Sequence, residues 1–128
     1  MPKYALLIYA PTDGEPAPED RAARVPRWRE YNKRLLDAGV VGASEQLYGV
    51  EAATTVHERG HQSQIIDGPA TSSEEFLAGY YVLDCADLDE TLEYARAVPL
   101  IDYGSVEIRP VLERSESLAP ELPQAAPA

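Results

Sequence analysis

Tyr4-Ala5-Leu6-Leu7-Ile8-Tyr9 is apolar at every position. Side chains along a strand alternate between two faces, so a strand of this kind has to be covered on both. Residues 77–85 are another strongly apolar strand, with Gly79-Tyr80-Tyr81 at their centre. Two such strands in one antiparallel sheet leave neither face fit for water. Helices are expected to cover one face and a second copy of the sheet the other, which implies a two-fold homodimer.

The flanking sequence supplies the helices. Residues 18–38 read as the first, with Val25, Trp28, Tyr31, Leu35 and Ala38 recurring on one face and Gly39 as a left-handed stop. Pro26 either kinks this helix or sits in the first turn of one beginning near Arg24. Residues 40–47 read as a strand. A hairpin follows over 53–58 and 62–66, and Asp67-Gly68-Pro69 breaks the pattern. Asp87, with Glu90 three residues on, opens a second helix whose apolar stripe is Leu88, Leu92 and Ala95 and which Pro99 ends. Residues 104–112 give the last strand. The domain thus occupies 1–113, and the Pro- and Ala-rich residues 114–128 are expected to form a flexible tail. Without the hairpin the order is β-α-β-β-α-β, the split arrangement of an α+β ferredoxin-like domain.

Composition narrows the function by exclusion. With 11 basic against 22 acidic residues, the net charge of −11 offers little cationic surface for nucleic acid or for anionic membranes. No apolar run reaches the roughly 20 residues that span a bilayer. The short apolar stretch near the start is not a signal-peptide core, so a cytoplasmic protein is expected. Cys85 is the single cysteine, placed as a small buried hydrophobe. No phosphate loop, nucleophile elbow or dinucleotide fingerprint occurs, and no cofactor is expected.

Lys3-Tyr4-Ala5-Leu6-Leu7-Ile8-Tyr9, Asp67-Gly68-Pro69, Gly79-Tyr80-Tyr81-Val82-Leu83, Asp87-Leu88-Asp89-Glu90 and the run Gly104 to Val111 together resemble the YCII-related family, in its DGPF subgroup. The resemblance implies a ferredoxin-like fold paired into a dimeric α+β barrel. Ala70 stands where the subgroup has Phe. In better-studied members a His on the first helix and an Asp before the second helix's terminal Pro form a candidate acid–base dyad. Trp28 and Val98 occupy those places here, and neither moves a proton.

Among the remaining polar residues, Asp67 reads either as a turn carboxylate accepting backbone amides or as a general base at the lip of a cleft. His57 and His61 point to opposite faces if Arg59-Gly60 is the turn and face each other if the loop includes Glu58; no third ligand accompanies them, so no metal is expected. Tyr80 and Tyr81 point oppositely. Trp28 and Tyr81 are core residues or the aromatic walls of a substrate pocket. Arg109 pairs across strands with Glu45 or binds a carboxylate ligand. Two functions follow. One is a cofactor-independent isomerase, lyase or cyclase acting on a small cyclic or aromatic metabolite, with Asp67 and His57 as the acid–base pair. The alternative is a non-catalytic ligand-binding or accessory and regulatory protein.

Overall fold

The computed structural model describes residues 1–13, 17–113 and 116. The tail expected over 114–128 lies outside them, Glu116 excepted. In chain order the elements are β1 (Lys3–Pro11), α1 (Pro18–Ala23), α2 (Val25–Ala38), β2 (Val41–Gln46), a 3-10 turn (Val50–Ala52), β3 (Thr54–Arg59), β4 (Gln62–Asp67), β5 (Glu75–Asp84), α3 (Leu88–Arg96) and β6 (Ser105–Pro110). Four strands form one sheet in the order β2-β5-β1-β6, every neighbouring pair antiparallel. The hairpin β3–β4 forms a separate two-stranded sheet. Setting the hairpin aside, this is the ferredoxin-like α+β arrangement that the sequence predicts.

The two apolar strands lie side by side at the centre. Leu6, Ile8, Tyr81 and Leu83 face the helices and build the core with Tyr31 and Leu35 of α2. Their neighbours Ala5, Leu7, Tyr80 and Val82 share the other face, as the register Ala5↔Val82 and Leu7↔Tyr80 requires. Tyr80 and Tyr81 therefore diverge as expected. The helix-free face is apolar along its middle, with Glu45 on one edge strand and Glu107 and Arg109 on the other. Cys85 is buried in the core, as predicted.

One open alternative is decided and two local expectations are corrected. Of the two places left for Pro26, the first turn of a new helix is the one found, so residues 18–38 form two helices. Pro26 has no N–H to donate to the carbonyl four residues back, and its ring would crowd that carbonyl. The chain breaks at Arg24, and α2 starts afresh with Pro26 in its first turn. This α2 runs to Gly39, whose φ of 71° closes it as the sequence indicated.

The stripe of α3 is rotated from the predicted one. Leu88 is 49% exposed, whereas Thr91 and Ala95 are buried. A polar residue can take the core position because the Thr91 hydroxyl donates to the Asp87 carbonyl at 2.9 Å. The Asp87 cap itself is present, its carboxylate accepting the Glu90 N–H at 2.9 Å.

The hairpin turn is Gly60-His61 rather than Arg59-Gly60. Both residues have positive φ, 56° and 65°, as a two-residue turn matched to strand twist demands. His57 then lies opposite Gln64, so neither expected pairing of the two histidines occurs.

Candidate functional site

The first half of α2 crosses a floor of small residues. Ala10 on β1 and Ala78 and Gly79 on β5 leave space that larger side chains would fill, and the result is a cleft of about 830 Å³, open on one side. That volume is ample for a small metabolite. Gly79 has a second reason to lack a side chain. A Cβ there would stand 2.8 Å from the Glu45 carbonyl oxygen, so only glycine lets β2 pair at this point.

Val25, Trp28, Arg29 and Asn32 of α2 form the roof at helical spacing, and Phe76 and Tyr81 of β5 lie below. Trp28 meets Tyr31 edge-on with centroids 6.4 Å apart, and Tyr31 meets Tyr81 likewise at 5.6 Å. This aromatic ladder joins core to cleft. Its hydroxyls are satisfied: Tyr31 donates to the Tyr94 carbonyl at 3.0 Å, and Tyr81 donates to Asn32 Oδ1 at 2.5 Å. Burial pushes the Tyr81 hydroxyl up to about 12, and it raises that of Tyr31 with help from Tyr81. Both phenols are neutral hydrogen-bonding groups at physiological pH, poorly suited to act as bases.

One end of the cleft is latched by Arg24. Its guanidinium donates to the Pro99 carbonyl at 2.9 Å, grips both carboxylate oxygens of Asp102 at 2.9 and 3.0 Å, and lies 4.7 Å above the Tyr103 ring. The pair raises the Arg24 pKa and lowers that of Asp102, each through hydrogen bonding to the other. A residue at the helix break thereby holds the loop after α3 in place.

Of the residues singled out from sequence, Trp28 and Tyr81 come together in this cleft. The others stand elsewhere. Asp67 ends β4, exposed and opposite Thr54 at the base of the hairpin. Its carboxylate accepts no hydrogen bond from a described residue. The turn is held instead by the Gly68 N–H on the Ala53 carbonyl at 2.8 Å and the Thr55 hydroxyl on the Gly68 carbonyl at 2.7 Å. His57 pairs across the hairpin with the Gln64 side chain at 2.5 Å. Arg109 lies on the helix-free face of β6, 3.7 Å from Glu107. The expected Glu45–Arg109 pair does not form within the chain, because β2 and β6 are the two outer strands. Val98, in the family's dyad position, is fully buried core.

Sequence reasoning missed Arg29 and Asn32. Their signal was a second stripe on the same helix, Val25, Arg29 and Asn32, flanking the apolar one through Trp28.

Fold and cleft define a small α+β protein with a ferredoxin-like sheet and a roofed aromatic pocket. The model of the YCII-related domain matches residues 2–115, and the chain belongs to the YCII-related family. It is also 35% identical over 114 residues to an uncharacterized protein of Rhizobium meliloti (strain 1021), an alignment covering 84% of this chain and 90% of the relative. Among the described residues no helix is long and apolar enough to cross a membrane.

Proposed function

We propose that this protein is a cytoplasmic homodimer that binds a small cyclic or aromatic metabolite in the cleft beneath α2. The observation that carries the reading is the cleft itself, walled by Trp28 and Tyr81 over a floor without large side chains. A flat ring placed there would meet aromatic edges and faces on the side of α2 and β5.

Binding is favoured over turnover by where the acid–base candidates stand. Asp67 and His57 belong to the hairpin and do not line the cleft. Tyr81, held protonated by burial, offers a hydrogen bond rather than a base. The isomerase, lyase or cyclase reading gave its proton transfers to Asp67 and His57, and neither borders the cleft; the carboxylate that does is Glu51, on the side away from the aromatic roof.

Support for the dimer comes from the helix-free face. Its middle is apolar, and its edges carry Glu45 on one side and Arg109 on the other. A two-fold that lays each edge over the opposite edge of a second copy would bury the apolar middle. The DGPF subgroup assignment rests on Asp67-Gly68-Pro69, with Ala70 in place of the ring.

Trp28 is the only tryptophan, so its fluorescence reports the cleft directly. A panel of small cyclic and aromatic compounds should contain members that change this emission saturably. Asp67→Asn and His57→Gln should leave that response unchanged. A panel without any saturable response would end the ligand-binding reading, and loss of binding in Asp67→Asn would return the hairpin to the site.

A further inference from the structure

Charge is distributed unevenly along this acidic chain. Six of its 11 basic residues, Arg21, Arg24, Arg27, Arg29, Lys33 and Arg34, fall on α1, α2 and their junction. Three of them, Arg21, Arg24 and Arg29, line the cleft. They are not equivalent. Arg24 is consumed by Asp102, the Pro99 carbonyl and the Tyr103 ring, and Arg21 has an interaction of its own. Arg29 is exposed on the roof and makes no hydrogen bond or ion pair with a described residue.

Asn32 follows Arg29 by three residues, on the same side of the helix. Its Oδ1 is occupied by the Tyr81 hydroxyl at 2.5 Å. The amide is thereby oriented, and its two N–H donors are left without an acceptor among the described residues. The roof therefore presents a charged planar donor and a neutral donor together, beside aromatic rings. On the opposite side the cleft is bordered by Glu51, which disfavours negative charge there.

Resting on the binding reading above, we propose that the cleft selects ring carboxylates, with the ring against Trp28 and Tyr81 and the carboxylate taken by Arg29 and the Asn32 amide. A guanidinium matches a carboxylate with two parallel hydrogen bonds, a geometry that an ammonium cannot reproduce. The acidic far side fixes the direction of entry, since the reversed ligand would bring its carboxylate to Glu51.

The test uses three probes of one shape, benzoate, benzamide and benzylammonium, titrated into the full chain with Trp28 emission and calorimetry as readouts. Benzoate should bind about ten-fold more tightly than benzamide, the worth of one charge-assisted contact. In Arg29→Gln that advantage should vanish while benzamide binding is retained, and Arg29→Lys should restore only part of it. Arg29 is exposed, so these variants are expected to fold, which circular dichroism checks. Equal binding of benzoate and benzamide by the wild type would overturn carboxylate selection and leave the cleft reading standing. Tightest binding by benzylammonium would also overturn it, assigning the recognition to Glu51. Saturable binding by none of the three would overturn both readings.

Discussion

Raising the pH above 10 should destabilise this protein through two buried phenols. Tyr31 and Tyr81 lie edge to face at 5.6 Å, both within the core. Burial holds Tyr81 at about 12 and raises Tyr31 as well. In the unfolded chain a phenol ionises near 10. Below that pH both states carry the proton, and the contribution of each tyrosine is fully present. Above it the unfolded chain releases a proton that the folded chain keeps, so the unfolded state binds fewer protons and stability falls as pH rises. For Tyr81 the loss runs from pH 10 to about 12. One phenol loses about 1.4 kcal/mol per pH unit, or roughly 2.7 kcal/mol across that window at full weight. The Tyr81 hydroxyl borders an open cleft, however, and screening by water reduces this to about 1–2 kcal/mol. Tyr31 adds a loss of the same sign. A total stability of about 5–15 kcal/mol makes such a change easy to see. Urea midpoints followed by circular dichroism at stepped pH should decline above pH 10, and tyrosinate absorbance should show Tyr31 and Tyr81 ionising late. Tyr81→Phe should remove one late phenol and make the decline shallower. A midpoint constant between pH 10 and 12, or a Tyr81→Phe slope equal to wild type, would refute the reasoning.

Leu35→Ala, at a fully buried position of α2, should lower stability by about 3 kcal/mol in urea titration, with the slope of the transition unchanged. Asp87→Ala removes the acceptor of the Glu90 N–H and should cost about 1 kcal/mol, seen as a lower Tm. Leu7→Lys places a charge in the middle of the helix-free face. Light scattering should then find the mass of one chain where the wild type shows two, and a wild type that is monomeric at micromolar concentration would remove the dimer.

The fold was legible because its decisive elements carry unambiguous local chemistry. The runs over 4–9 and 77–85 are too apolar for anything but the middle of a sheet, Gly39 marks a helix end by its left-handed backbone, and Asp87 marks a helix start by its capping carboxylate. Where the sequence misled, two local solutions had similar cost. Pro26 left a kink and a restart both open, and the restart is what forms, with Pro26 in the first turn of α2. The phase of α3 was misjudged because Thr91 is polar, and only its bond to the Asp87 carbonyl makes it a core residue. The hairpin turn shifted by one because His61 takes a positive φ that composition does not advertise.

The site was half legible for a different reason. Trp28 and Tyr81 stand out as residues, but a cleft is defined by missing atoms, and Ala10, Ala78 and Gly79 attract no notice as a group until β1 and β5 are paired. Asp67 drew attention through its motif, yet the motif marks where β4 ends rather than where a ligand would sit.

The hairpin has a further consequence. Its chain leaves at Ala53 and returns at Gly68, and those two residues are clasped by a single 2.8 Å hydrogen bond. Everything between them forms its own small sheet, so residues 54–67 can be lengthened, shortened or exchanged without altering how β2 and β5 pair. For an engineer it is a ready display arm, on which a foreign epitope or a binding peptide can be carried by a scaffold whose core never registers the change.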